Sequence, residues 1–417
     1  MSKLEELIQQ YCPDGVEYVP LSSIGTIKRG NGLQKKDFVK AGIGCIHYGQ
    51  IYTKFGLFTN KTLTYVDKEL ADHLLHIEKG DLVIACTSEN VEDVCKAVVW
   101  LGDDSIVTGG HSCVLHHNQN PKYIAYFFQT ESFQRQKRKY AYGTKVIDIK
   151  PDSIGKIEIP LPPLPVQEEI VRILDAFTEL QAELQAELQK RKQQYNYYLD
   201  NLLNFNNINR GGGYQAEVRW MKMSEVMSIS RGASPRPIQN YLTDAEDGIP
   251  WIKIGDVSPS SKYISSTKEK IKKEGATKSR YLKKGDFILS NSMSFGRPYI
   301  LNIDGCIHDG WISMYGFEEH LDQDYLYYVL RSESVQTFWT AKANSGGAVS
   351  NLNSDIVRKT LIPIPSMAEQ KRIASILDRF DRLTNDLTSG LPAEIEKRRQ
   401  QYEYYRDKLL SFKRKGA

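Results

Sequence analysis

The clearest pattern in the chain is a return of apolar residues every three or four positions along two long stretches. From about Gln167 to Phe205 the apolar stripe is Ile170, Ile173 and Leu174, Phe177, Leu180, Leu184, Leu188, Tyr195, Leu199 and Leu202. The second stripe runs over Ala368–Thr388 and Pro392–Phe412 through Ile373, Leu377, Phe380, Leu383, Leu387, Ile395, Tyr402, Tyr405 and Leu409. One-sided steps of three and four predict long helices whose seams are of the coiled-coil kind. At ~1.5 Å per residue the first would be roughly 58 Å long. Two seams of this length most simply pack on each other, antiparallel. Prolines at 160, 162, 163 and 165, and at 363 and 365, mark where the two helices begin, since proline is excluded from a helix interior. Ser389-Gly390-Leu391-Pro392 interrupts the second, and Pro392 suits the first turn of a restarted helix.

Elsewhere the pattern is mixed. Short apolar runs such as Asp81-Leu-Val-Ile-Ala85 and Asp286-Phe-Ile-Leu-Ser290 read as strands, punctuated by Gly and Asn turns at 29–32 and 344–347. One helix is expected over about 121–138 and one over about 322–342. These segments define an α+β globule that occurs twice. Val16 aligns with Val218, Lys79-Gly-Asp with Lys284-Gly-Asp, Tyr123 with Tyr325, and Lys190-Arg-Lys-Gln-Gln-Tyr-Asn-Tyr-Tyr with Lys397-Arg-Arg-Gln-Gln-Tyr-Glu-Tyr-Tyr. The shift grows from 203 (175 to 378) to 207 (190 to 397), so the second helix carries about one extra turn. A period of roughly 200 residues is too long for a solenoid and means two tandem domain-plus-helix units. The expected layout is a first domain over 1–165, a long helix over 166–206, a second domain over 207–365, and a second helix over 366–417 broken near 389–392. The architecture is thus two pseudo-symmetric domains separated by two long helices.

Composition narrows the function classes. The net charge of +4 allows a nucleic-acid partner without demanding one. No apolar stretch is long enough to cross a bilayer, and the acidic, amphipathic start lacks the features of a signal peptide. The six cysteines form no CxxC pair and no symmetric disulfide framework, which points to the cytoplasm. No nucleotide-binding loop, nuclease triad or metal-ligand spacing occurs. Asn120-Pro-Lys-Tyr123 falls short of the motif with which a methyltransferase holds a flipped base. Catalytic, cofactor-binding and metal-binding residues are therefore expected to be absent. A duplicated chain without a duplicated catalytic arrangement reads as a binder.

The polar and basic loops carry side chains suited to base edges and phosphates. In the first domain these are Lys28, Arg29, Asn31, Gln34, Lys35, Lys36, Arg135, Lys137, Arg138 and Lys145. In the second they are Arg231, Ser234, Arg236, Asn291, Ser292, Arg297 and Asn344. The central seam is expected to rest on Ile170, Leu174, Phe177, Leu184, Leu188, Ile373, Leu377, Phe380, Leu387 and Tyr402.

The Pro-rich lead-ins Ile159-Pro-Leu-Pro-Pro-Leu-Pro165 and Ile362-Pro-Ile-Pro365, the paired Ile173-Leu-Asp175 and Ile376-Leu-Asp378, and the Arg-Lys-Gln-Gln-Tyr exit resemble the specificity subunits of type I restriction–modification systems. The tetrads ending in Leu180, Leu184 and Leu188 resemble the IC subgroup, with Gln where Thr is common there. The resemblance implies a DNA-recognition subunit that joins two methyltransferase (modification) subunits, and restriction subunits in the full complex. It implies adenine methylation with S-adenosylmethionine held by the partner. The competing reading is a coiled-coil scaffold whose two globules bind proteins.

Overall fold

The computed structural model describes residues 2–205, 218–258, 261–291, 295–343, 351–386 and 388–416. The chain divides into two compact units, residues 1–183 with 395–417, and residues 184–394. Each unit contains one globular domain, part of the long helix that succeeds it in the chain or leads into it, and a part of the other long helix.

In the first unit a five-stranded sheet runs in the order Gly25–Arg29, Ser112–His117, Leu82–Ala85, Ala97–Trp100, Phe58–Thr59. A four-stranded sheet of Thr64–Val66, Ile43–Ile46, Ile106–Thr108 and Leu75–Ile77 is interleaved with it along the chain. The second unit repeats the scheme, with Ser228–Arg231, Trp311–Tyr315, Phe287–Ser290, Pro298–Leu301 and Tyr263–Ile264 in one sheet. The run Leu82–Ala85 and its twin Phe287–Ser290 are buried at every residue, which is why neither alternates apolar with exposed polar positions. Each is entered through a Lys-Gly-Asp turn whose glycine has positive φ (95° at Gly80, 100° at Gly285), a conformation costly for any residue with a Cβ. The sulfurs of Cys86 and Cys113 lie against each other at this sheet.

The helix expected over 121–138 is two helices, Pro121–Phe127 and Glu131–Arg138. Thr130 starts the second by accepting the Phe133 N–H on its hydroxyl, a cap that forces a break in the chain direction. The twin segment breaks in the same place, into Gln323–Arg331 and Glu333–Ala343, with Ser332 between. The first long helix spans Leu164–Leu203. It begins before Gln167 because Pro165 sits in the first turn, where its missing N–H has no carbonyl to lose. The second consists of Met367–Asn385 and Leu391–Leu409.

Within the first unit, Ile170 and Leu174 of the long helix share a core with Tyr402 and Leu410. Phe177 stacks on Tyr405 with centroids 5.6 Å apart. Within the second unit, Leu199 and Leu203 share a core with Ile373 and Leu377, and Tyr198 stacks on Phe380 at 5.1 Å. Early residues of one helix meet late residues of the other, the order of an antiparallel pair. Leu188 is buried and Leu184 half-buried, while Leu387 lies outside the described residues.

The residues shared by the two helices prove to be the docking points of the domains. Asp175 accepts the Tyr126 hydroxyl at 2.7 Å and pairs with Lys122 at 2.6 Å. Asp378 accepts the Tyr328 hydroxyl at 2.6 Å and pairs with Lys262 at 3.0 Å. Buried Gln167 accepts the Asn120 N–H and donates to the Pro162 carbonyl, and Gln370 does the same with Asp322 and Pro365. At the other side of each domain, Asp407 receives the N–H of Glu131, and Asp200 that of Glu333, both at 3.3 Å. A carboxylate at the first turn of a helix also meets the positive end of its dipole. None of the described helices is long and apolar enough to cross a membrane.

Candidate nucleic-acid interface

In each unit, the end of the first strand of the five-stranded sheet converges with the turn before its neighbour; in the first unit a loop that comes after the second domain helix joins them. In the first unit Arg29 ends its strand opposite Cys113. Its Nε donates to the Gly110 carbonyl at 2.9 Å, and its two terminal nitrogens donate to the two oxygens of Asp148 at 3.0 and 2.6 Å. Asp148 also receives the Tyr142 hydroxyl at 3.2 Å. Ile147–Asp148 pairs with Thr87–Ser88, so the loop carrying exposed Lys145 leaves from this same place. Beside it His111 bonds Thr87 at 3.0 Å and lies 4.7 Å, centroid to centroid, from Tyr48, which in turn lies 4.5 Å from His47. Burial holds the His47 imidazole below its usual pKa, and nearby Lys35 and His111 push the same way. Lys28, Asn31, Gln34, Lys35 and Lys36 are exposed on the adjoining strand and loop.

Three other predicted residues belong to a different element. Arg135, Lys137 and Arg138 belong to the helix Glu131–Arg138, whose start is fixed by Asp407. Arg135 and Arg138 are exposed there. Lys137 is not a surface contact: it is 1% exposed, and its ammonium donates to the Glu92 and Val94 carbonyls, each at 2.7 Å. Burial pulls its pKa down to about 8. The helix turned this lysine inward because residues 133 and 137 are one turn apart and both face the core.

In the second unit the cluster is built round Asp309. Arg231 ends its strand opposite Ile312, and its Nε donates to the Asp309 carbonyl at 3.0 Å. Asn291 donates to that carbonyl at 3.1 Å. The Asp309 carboxylate takes the Ser234 hydroxyl at 3.0 Å, Arg236 at 3.1 Å and His308 at 3.0 Å. Burial alone would raise the pKa of this carboxyl; Ser234, His308 and Arg236 together hold it below the usual value. Arg297 is half-buried just before the strand Pro298–Leu301 of that sheet, while Ser292 and Asn344 lie outside the described residues. Sequence reasoning missed His111, Tyr48, Asp148, His308 and Asp309. A signal existed for the turn residues: Gly109-Gly-His111 and His308-Asp-Gly310 occupy the same place in the repeat, and both are rich in glycine and histidine.

The arrangement therefore comprises two equivalent loop clusters whose side chains differ, on a scaffold whose docking residues coincide. That is the organisation of a duplicated recognition protein. The family model for the type I restriction modification DNA specificity domain matches residues 13–214 and again 216–397. The chain is 37% identical to the specificity subunit of the type I restriction enzyme EcoR124I/EcoR124II of Escherichia coli, over 99% of this chain and 97% of that protein. Two solved structures share the fold. One, from work on assembly and conformational transition of the type I R-M system, has a TM-score of 0.65 at 18% identity, covering 96% of this chain and 98% of its own. The other, the S subunit of a type I restriction–modification system from M. genitalium, has a TM-score of 0.53 at 14% identity, covering 95% and 96%. The chain belongs to the family of type I restriction–modification specificity subunits, with two repeated target-recognition domains.

Proposed function

We propose that this chain binds a bipartite DNA target, one half-site per recognition domain, with a gap fixed by the long helices. The observation that carries the reading is that the two loop clusters sit at equivalent positions but differ in chemistry: Arg29, Asp148 and His111 in one, Arg231, Asp309 and Arg236 in the other. Arginine, lysine, asparagine and serine are the side chains that contact base edges and phosphates. A scaffold for two identical protein partners would have no reason to vary these positions between its copies. In this reading the chain is a non-catalytic subunit of a cytoplasmic complex. It directs adenine methylation by two modification subunits, which hold S-adenosylmethionine, and cleavage by restriction subunits.

The reading is tested by exchange. Residues 16–158 are replaced with the corresponding segment of another specificity subunit, and the methylated motif is read in cells that also express the modification subunit. One half-site should change to that of the donor, with the other half-site retained. A change in both, or in neither, would contradict the assignment of one half-site per domain.

A further inference from the structure

The two domains share an arginine at the end of the same strand, and the structure treats the two copies differently. Arg29 and Arg231 are equivalent by three observations. They end strands in matching register. Each sends Nε to the carbonyl of the same turn, Gly110 at 2.9 Å and Asp309 at 3.0 Å. The glycine after each donates its N–H to the next strand, Gly30 to Ser112 at 2.9 Å and Gly232 to Trp311 at 2.8 Å.

Their surroundings diverge at one position. In the first domain Asp148 takes both terminal nitrogens of Arg29, so the planar fork that matches a base edge is already filled. The pair is largely sheltered, at 31% and 19% side-chain exposure. The counterpart of Asp148 is fixed by the backbone. The Ile149 N–H bonds the Cys86 carbonyl, and the Leu352 N–H bonds that of Asn291, while Cys86 and Asn291 each donate to the turn, at His111 and Gly310. The residue before Leu352 is Asn351, which is neutral and exposed. Among the described residues Arg231 makes one side-chain hydrogen bond, the one from Nε. The carboxylate of the second cluster has moved to the turn, where Asp309 holds Arg236, Ser234 and His308 instead. Arg231 is therefore anchored at Nε with its fork unfilled and its charge uncompensated by an ion pair among the described residues.

We propose that Arg231 reads a guanine in the half-site bound by the second recognition domain, and that Asp148 withdraws the equivalent Arg29 from base reading in the first. An anchored guanidinium with two free terminal nitrogens matches the O6 and N7 acceptors of guanine in the major groove, and no other base offers two acceptors there. Holding Nε in advance removes part of the side-chain ordering cost on binding. The proposal rests on the DNA-recognition reading above.

The test uses the full chain assembled with its modification subunits, methyl transfer from labelled S-adenosylmethionine, and duplexes carrying the wild-type motif or single base-pair changes within it. The wild-type assembly must first show a split motif; if it does not, the DNA-recognition reading itself fails. With that motif in hand, Arg231→Lys keeps the charge and removes the fork. It should reduce discrimination at a single G·C pair of the second half-site by about ten- to a hundredfold and leave every other position unchanged. Arg29→Lys, which can retain an ion pair with Asp148, should change discrimination at no position. A uniform slowing across all duplexes with Arg231→Ala, accompanied by a salt dependence shallower by about one ion, would assign Arg231 to a phosphate and overturn the proposal. So would unchanged discrimination with Arg231→Lys, or a lost position in the first half-site with Arg29→Lys.

Discussion

Glu169 lies on the first turns of the long helix with its side chain 3% exposed, between Arg172 and Lys3. Arg172 grips both of its oxygens, at 3.0 and 2.7 Å, and Lys3 adds a contact at 3.0 Å. The Arg172 hydrogen bonds, with Lys3, outweigh burial and hold the carboxyl down to about 2, from an ordinary value of 4.5. The unfolded chain therefore takes up a proton between those values while the folded one does not. The stability that Glu169 contributes is complete above about pH 4.5 and is lost as the pH falls toward 2. Glu169→Gln should cost about 2 kcal/mol near neutral pH, and the deficit should shrink as thermal unfolding is repeated at lower pH. A deficit independent of pH would mean that the ion pairs contribute nothing beyond packing. Residue-level roles were only partly legible in the sequence. The basic loops could be picked out, but charge type does not say whether a side chain is free. Lys137 points inward because its helix docks by that face, and Arg29 is occupied by a residue far along the chain. Both facts come from long-range pairing, which leaves no local pattern.

At the scale of the elements, periodicity was a sufficient guide where a helix buries one long stripe. Ile170 and Leu174, and Ile373 and Leu377, are fully buried, each pair in the core of its own unit. It was an insufficient guide inside the domains, because a break caused by a single capping hydroxyl, such as Thr130, leaves the apolar spacing on either side intact. The first long helix also holds the tetrads ending at Leu184 and Leu188, in which leucine returns to the seam at each step. An added Gln-Ala-Glu-Leu after Leu188 lengthens the helix by ~6 Å and turns the downstream half by roughly 40°. Against ~3.4 Å per base pair, the gap in the methylated motif should widen by one or two base pairs with both half-sites unaltered. Sequencing the motif made by this insertion variant checks the point; an unchanged gap would separate helix length from target spacing.

At the scale of the whole molecule, the internal repeat was plain in the sequence because the docking residues recur: Asp175 with Asp378, Gln167 with Gln370, Tyr126 with Tyr328. What the repeat did not reveal is that each compact unit draws on both long helices. Asp407 serves the first domain and Asp200 the second, and neither lies in the repeat copy of the domain it caps. Two domains completed by the same pair of helices, each with its own loop chemistry, suit the recognition of one ligand in two parts. We propose that these surfaces select a split DNA target for methylation. That selection is tested most directly by modification-sensitive sequencing of DNA from a host expressing this chain with its modification subunit, beside the same host lacking this gene. A two-part motif with methylated adenine should be present in the first and lost in the second. An assembled complex that leaves no such motif would contradict it and favour a protein-binding scaffold.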